Sequence, residues 1–320
     1  MESLTNYMAE VQTRKSMSFK RLLWKRIWQH KVFYLFMLPG IIWFFIFSYV
    51  PLYGIQVAFR NFTFTGGFSG SPWAGLKYFR QFFDYYQATE LIRNTIVISL
   101  SKLLIGFPMP IILAILLNEV RRVKFKKVVQ TLSYLPYFVS WVVVVTLMQR
   151  LLTPYGGPLN DLLASLGMER IQFLYNTTWF YPMILGSDVW KNIGWNSIIY
   201  MAAIAGIDQQ LYEAAKIDGA NRFRQMWHVT LPGIRNIAVI LFILSVGGLM
   251  SAGYEQLLLL NGPATARIGS VLDVHVITSG ISGGRLSYAA AVGLFQSIIG
   301  LVMILVVNRI AKKYSDVSLF

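Results

Sequence analysis

Apolar residues in this 320-residue chain gather in long runs, with polar residues confined to shorter stretches between them. Six runs reach the ~20 residues that a helix needs to cross a bilayer core. They lie at about 32–58, 91–119, 130–152, 180–206, 234–258 and 287–310. The pattern predicts an all-α fold, a polytopic membrane helix bundle with six transmembrane helices. A soluble core built from buried helices would not need six such runs separated by short polar loops. The first run begins too far in, and is too long, for a cleaved signal peptide, and no small-residue cleavage site follows it. Pro39, Pro108, Pro110 and Pro136 fall within the runs and are expected to kink or break helices.

One connection stands apart from the others. Residues 211–234, LYEAAKIDGANRFRQMWHVTLPGI, are far more polar than the apolar runs on either side. A helix-forming run ends at Asp218-Gly219, where glycine permits a left-handed cap. Asn221 suits the N-cap of a second short helix, 221–228, which Pro232 is expected to close. The prediction is two short helices at an angle on the membrane surface, a shape that suits a groove on a soluble partner.

Composition agrees with the membrane reading. The chain is 55% hydrophobic and 13% charged, with a mean hydropathy of +0.52, whereas soluble domains carry roughly 25% charge. The net charge of +15 would suggest a nucleic-acid partner until it is placed along the chain. Basic residues cluster at 14–31, 121–127, 216–235 and 309–313, all on one side of a six-span topology. This is the positive-inside pattern, which predicts that both termini are cytoplasmic and that the basic excess meets anionic lipid, with no nucleic acid involved. Residues 1–31 interleave Leu22, Leu23, Trp24, Ile27 and Trp28 with Lys and Arg. They suit an amphipathic helix in the inner headgroup layer, or a contact with a partner subunit. There is no cysteine, and the three histidines are far apart, so neither a disulfide nor a metal site is expected.

Polar residues inside the runs are functional candidates, because hydrocarbon makes them costly. The fourth run holds Lys191, Asn192, Asn196, Ser197 and Tyr200, with Asn192, Asn196 and Tyr200 at spacings that share one helix face. Ser251, Tyr254 and Glu255 are expected to share a face of the fifth run, and Gln296 lies in the sixth. Hydrogen-bonding and aromatic side chains of this kind suit a sugar. Lys191 and Glu255 would equally serve as a structural ion pair, and Asn and Ser as links between helices. Lys102, in the second run, is expected to snorkel. No nucleotide-binding loop and no catalytic constellation is present, so no cofactor is expected and any energy must come from a partner.

The chain resembles the permeases of binding-protein-dependent type I ABC importers, in the branch that takes up sugars, oligosaccharides and polysaccharides. Glu213-Ala214-Ala215, Gly219 and Leu231-Pro232 match the EAA loop of that family at its spacing. The stretch 190–195 (WKNIGW), Asn261-Gly262-Pro263 and residues 288–293 (YAAAVG) are also similar, and the likeness covers roughly 90–315.

The resemblance implies a division into a basic amphipathic cytoplasmic segment (1–31), a first transmembrane helix with its outer loop (32–86), and an importer core (87–320) with a coupling loop at 206–234. It implies that Glu213, Ala214, Ala215, Asp218, Gly219, Leu231 and Pro232 couple the chain to an ATPase. With a carbohydrate as substrate, the intramembrane polar residues Lys191, Asn192, Asn196, Ser197, Tyr200, Ser251, Tyr254, Glu255 and Gln296 are the expected lining of its path. The implied partners are a second homologous permease, two ABC ATPase subunits, an extracytoplasmic solute-binding protein, membrane lipid and the carbohydrate. The implied location is the cell (inner) membrane, with several passes, and the chain itself would be no enzyme. The competing readings are a stand-alone secondary transporter or channel, which would need coupling-ion carboxylates or inverted repeats, and a membrane enzyme, which would need a catalytic constellation.

Overall fold

A computed structural model describes Trp24 and residues 28–314. Apart from Trp24 and residues 28–31, the basic segment expected to form an amphipathic helix lies outside the described residues; Trp24 and Trp28 are exposed. The chain divides into two units, residues 1–56 and 57–320. The division precedes the outer loop, which the sequence had grouped with the first span.

In the first unit, α1 (Lys31–Phe44) contains Pro39 and continues into a π turn, Phe45–Tyr49, and a 3-10 stretch that begins at Val50. The side chains of α1 are exposed all round, aromatics included. A helix that is apolar on every side fits a lipid or protein environment.

The second unit contains α2 (Lys77–Phe83), α3 (Ala88–Gly106), α4 (Pro108–Glu119), α5 (Val123–Tyr134), α6 (Trp141–Leu152) and α7 (Pro158–Ser165). It continues through α8 (Thr177–Ala205), α9 (Gln209–Ile217), α10 (Arg222–Gln225), α11 (Leu231–Gly247), α12 (Tyr254–Leu260), α13 (Leu272–Ile277) and α14 (Leu286–Tyr314). The described residues include no strand, only an isolated bridge between Arg60 and Trp73.

Helix α8 is central and packs against α3, α4, α5, α11 and α12. It has 29 residues, ~43 Å at 1.5 Å per residue, enough to cross a membrane. The outer loop packs on the same unit: Phe82 meets Tyr288 and Phe295 of α14, and the Phe62 amide donates to the Ser287 hydroxyl.

Among the described residues, four helical runs are long and apolar enough to cross a membrane: Lys31–Phe59, Ala88–Glu119, Arg222–Gly247 and Leu286–Lys313. Two of the predicted spans differ from simple helices. The third begins earlier than expected, and its halves, Val123–Phe138 and Trp141–Leu152, meet at 104°. Pro136 lies in the 3-10 turn just before the bend, and Ser140 caps α6 after it by accepting from the Val143 amide. The fifth was expected as one helix over 234–258. It ends at Gly247, and α12 restarts at Tyr254 after Gly253 adopts a φ of +89°. That left-handed backbone suits glycine and breaks the helix. Ser251 therefore lies in the unwound stretch and does not share a helix face with Tyr254 and Glu255.

Candidate functional site

The polar connection between the fourth and fifth runs begins as predicted. Asp208 caps α9 by accepting from the Gln210 amide at 2.9 Å. Gly219 ends it with a φ of +74°, and the Ala220 amide bonds back to the Ala215 carbonyl at 2.8 Å, closing a Schellman-type cap. Asn221 caps α10 through the Arg224 amide at 2.9 Å.

Beyond that point the expectation fails, because Pro232 does not close a second short helix. The helix is continuous from Arg222 to Gly247, through a π turn at Met226–Thr230. Proline lacks an N–H and its ring crowds the carbonyl four residues back. A π turn just before it, with the Leu231 amide bonding to the Met226 carbonyl, loosens the ladder where the ring must fit. The loop is thus one short helix joined by a tight turn to the end of a membrane-length helix.

Two further contacts fix this joint. The Tyr212 hydroxyl lies 2.9 Å from that of the buried Thr230. A Cβ at Gly233 would meet Ile207. Glu213, Ala214, Asp218 and Gly219 are exposed, Ala215 is half-buried, and Leu211, Ile217, Phe223 and Trp227 also project into the open. Leu231 is at the margin of exposure.

The predicted path residues divide into three groups. Asn192, Asn196, Tyr200 and Ser251 line one cavity of about 320 Å³ with Ser99, Lys102, Asp188, Ser245 and Gly248. The cavity lies between α3, α8, α11 and the unwound stretch. Gln296 lines a second cavity, of about 420 Å³, on the other side of that stretch, with Met250, Ser251 and Asp273. Tyr254 and Glu255 are exposed at the start of α12, where the Tyr254 hydroxyl donates to Glu255 at 3.3 Å. Ser197 is fully buried and donates to the Gly194 carbonyl, so it holds its own helix and lines neither cavity.

Among the described residues no ion pair joins Lys191 to Glu255. Lys191 is only 8% exposed. Its ammonium donates to the carbonyls of Pro136 and Tyr137, at 3.3 and 2.8 Å, and to that of Val139. It also sits 5.6 Å from the ring centroids of Tyr137 and Trp141. These carbonyls lie at the bend of the third span, where Lys191 bonds them; that of Pro136 also accepts from the Val139 amide at 3.2 Å. Tyr137 stacks on Trp195 at 4.6 Å. At Gly194 the helices approach so closely that a Cβ would collide with the Ser133 backbone.

Lys102 does not snorkel. Its ammonium lies 3.4 Å from Asp188 and donates to the Ala252 carbonyl and the Gln256 side chain at 2.8 and 2.6 Å. Asp188 escaped the sequence reading, although a carboxylate three residues before Lys191 in an apolar run was a visible signal. On the opposite side, Asp273 accepts from the Ser251 hydroxyl, the Gly253 amide and the Gln296 side chain, and Gln296 also donates to the Met250 carbonyl. The unwound stretch is therefore held through its own polar groups, as irregular backbone within a membrane requires.

Comparison with known proteins identifies this arrangement. Residues 106–316 match the model of the binding-protein-dependent transport system inner membrane component family. The chain belongs to that family. It is similar to the polygalacturonan/rhamnogalacturonan transport system permease protein YteP of Bacillus subtilis (strain 168), 46% identical over 301 residues that cover 94% of each chain. Protein LplB of the same strain is 43% identical over 290 residues, 91% of each chain. Among solved structures, this permease resembles a chain of a bacterial ABC transporter involved in import of the acidic polysaccharide alginate. The TM-score is 0.82 and the identity 37%, with coverage of 91% of this chain and 98% of that one. A second structure, of a bacterial alginate ABC transporter with an alginate pentasaccharide-bound periplasmic protein, gives a TM-score of 0.83 and 36% identity, covering 93% and 99%. The chain is an integral membrane permease of the ABC import type, a transport component and not an enzyme.

Proposed function

We propose that this permease forms half of the membrane channel of an ATP-driven importer that carries an oligosaccharide into the cytoplasm. A second, related permease supplies the other half, two ATPase subunits dock on the cytoplasmic side, and an extracytoplasmic binding protein delivers the sugar. The chain crosses the membrane six times, with both termini inside. The 320 Å³ cavity and the unwound stretch beside it belong to the substrate path. The names of its relatives support a polysaccharide-derived substrate.

The observation that carries this reading is the joint at 208–233. A short helix with exposed Leu211 and Ile217 is tied by Gly219 and by the Tyr212–Thr230 contact to a helix that runs on to Gly247. Force applied to α9 by a closing ATPase pair reaches α11 and the unwound stretch without crossing a flexible loop. Glu213 adds a polar contact at that face. The test is Gly219→Val in the assembled importer. A branched side chain at a φ of +74° is strained, so uptake should fall and ATP hydrolysis should lose its response to loaded binding protein, with membrane insertion retained. Wild-type coupling in this variant would overturn the assignment.

A further inference from the structure

The cavity bounded by α3, α8, α11 and the unwound stretch holds a cation whose bonding is uneven. Among the described lining residues, only Lys102 and Asp188 carry full charge. Lys102 is 15% exposed and Asp188 21%. The ammonium is anchored tightly by two neutral acceptors, the Ala252 carbonyl at 2.8 Å and the Gln256 side chain at 2.6 Å. Its contact with the carboxylate is the longest of the three, 3.4 Å, whereas a charge-assisted N–H···O bond closes to about 2.7–2.9 Å. Asp188 has a second place to turn, since the Asn192 amide donates to it at 3.3 Å.

Ser99, one turn before Lys102 on α3, lines the cavity, while its hydroxyl is buried. Asn192, Asn196, Ser245 and Ser251 complete a polar lining. The volume lies within the range of small-ligand sites, ~300–1,000 Å³.

We propose that this cavity is a subsite for one acidic sugar residue of the transported chain, a uronate whose carboxylate takes the place of Asp188 on Lys102. This rests on the reading of the protein as a carbohydrate permease. The neutral anchors keep the ammonium in place while its anionic partner changes, and the sugar hydroxyls reach Asn192, Asn196, Ser245 and Ser251. Asp188 then has a defined task. It returns to Lys102 and displaces the substrate carboxylate, so that the site binds well enough to admit the sugar and weakly enough to release it. Conduction through a membrane path requires that balance.

The test uses the complete importer with its ATPase subunits in nanodiscs. The probes are trigalacturonate and its fully methyl-esterified, uncharged counterpart. Direct binding is measured by equilibrium dialysis, without binding protein, per assembled complex. The wild type should favour the acid over the ester. Lys102→Gln, which keeps a donor for the Ala252 carbonyl, should weaken acid binding about tenfold or more, the usual size of a lost charge-assisted bond, and should abolish the preference. Asp188→Asn removes the competitor, so it should bind the acid more tightly and slow its uptake per complex in proteoliposomes.

The opposite set of results overturns the proposal. If the pair is only structural, both single variants should lose assembled complex alike, the Lys102→Gln/Asp188→Asn double variant should restore it, and acid preference should not move. Equal binding of acid and ester in the wild type also ends the proposal and leaves the carbohydrate reading intact. Failure of the wild type to take up any oligosaccharide, loaded binding protein included, ends the carbohydrate reading itself.

Discussion

Lys191 and Lys102 are both lysines within helices long enough to cross a membrane, and their surroundings are opposite. Lys191 donates to three backbone carbonyls at a bend and lies between two aromatic rings. All of its bonds go to groups fixed by the fold. Lys102 has two such bonds and a third, longer contact with a carboxylate that shares its cavity. A charge inside a membrane is costly wherever it lies, so its presence alone does not mark a substrate contact. What distinguishes the two is whether any bonding capacity is left for something that comes and goes. The sequence reading placed Lys191 on the carbohydrate path or, equally, in a structural pair with Glu255, and expected Lys102 to snorkel. The structure uses Lys191 to hold the elbow of the third span and turns the next residues of the helix toward the cavity.

The largest effect is expected at Lys191→Ala. It removes this donor from the carbonyls of Tyr137 and Val139, at about 1–3 kcal/mol for each group that water cannot reach, while that of Pro136 keeps the Val139 amide. The yield and thermal stability of the assembled importer should drop sharply, measured by fluorescence-detected size-exclusion after heating. An unchanged melting profile would remove Lys191 from its structural role.

Gly194→Ala probes the same elbow with a smaller perturbation. The added methyl meets the Ser133 backbone, and overpacking of this kind costs about 1–3 kcal/mol. The same heating assay should show a lower midpoint with some complex surviving. At the cavity, Asn196→Ala should leave that midpoint within error and raise the KM for uptake several-fold, because its side chain lines the cavity and is exposed there. The smallest effect is expected at Tyr254→Ala. Tyr254 is exposed, and its hydroxyl contact with Glu255 at 3.3 Å is long for an O–H···O bond, so uptake should change less than for Asn196→Ala. A larger loss at Tyr254 would move the path toward α12.

Much of this arrangement is written in local residue pattern. The Asn221 cap and the Gly219 stop follow from helix chemistry within a few residues, and each matches a described feature; the Asp208 cap is as local and went unread. The shared face of Asn192, Asn196 and Tyr200 follows from helical spacing. The misreadings arise where distant segments decide the outcome. Pro232 looked like a terminator because proline usually is one, but the π turn before it carries the helix on. Gly247, Gly248 and Gly253 lie in a run apolar enough to read as continuous helix. The break is sustained by Lys102, Asp273 and Gln296, from three other parts of the chain. The Lys102–Asp188 contact spans two helices, and no spacing rule within either helix announces it.

The contrast between the two lysines reduces to one experiment, in which Lys191→Ala and Lys102→Gln are compared in the same importer by assembled complex and by trigalacturonate uptake per complex. The account predicts that Lys191→Ala loses most of the complex, while the complex that survives transports at a rate near wild type. Lys102→Gln should assemble to within about twofold of wild type, and its uptake per complex should fall about tenfold or more at subsaturating sugar. The reverse result, with assembly lost at Lys102 and uptake per complex lost at Lys191, would contradict it.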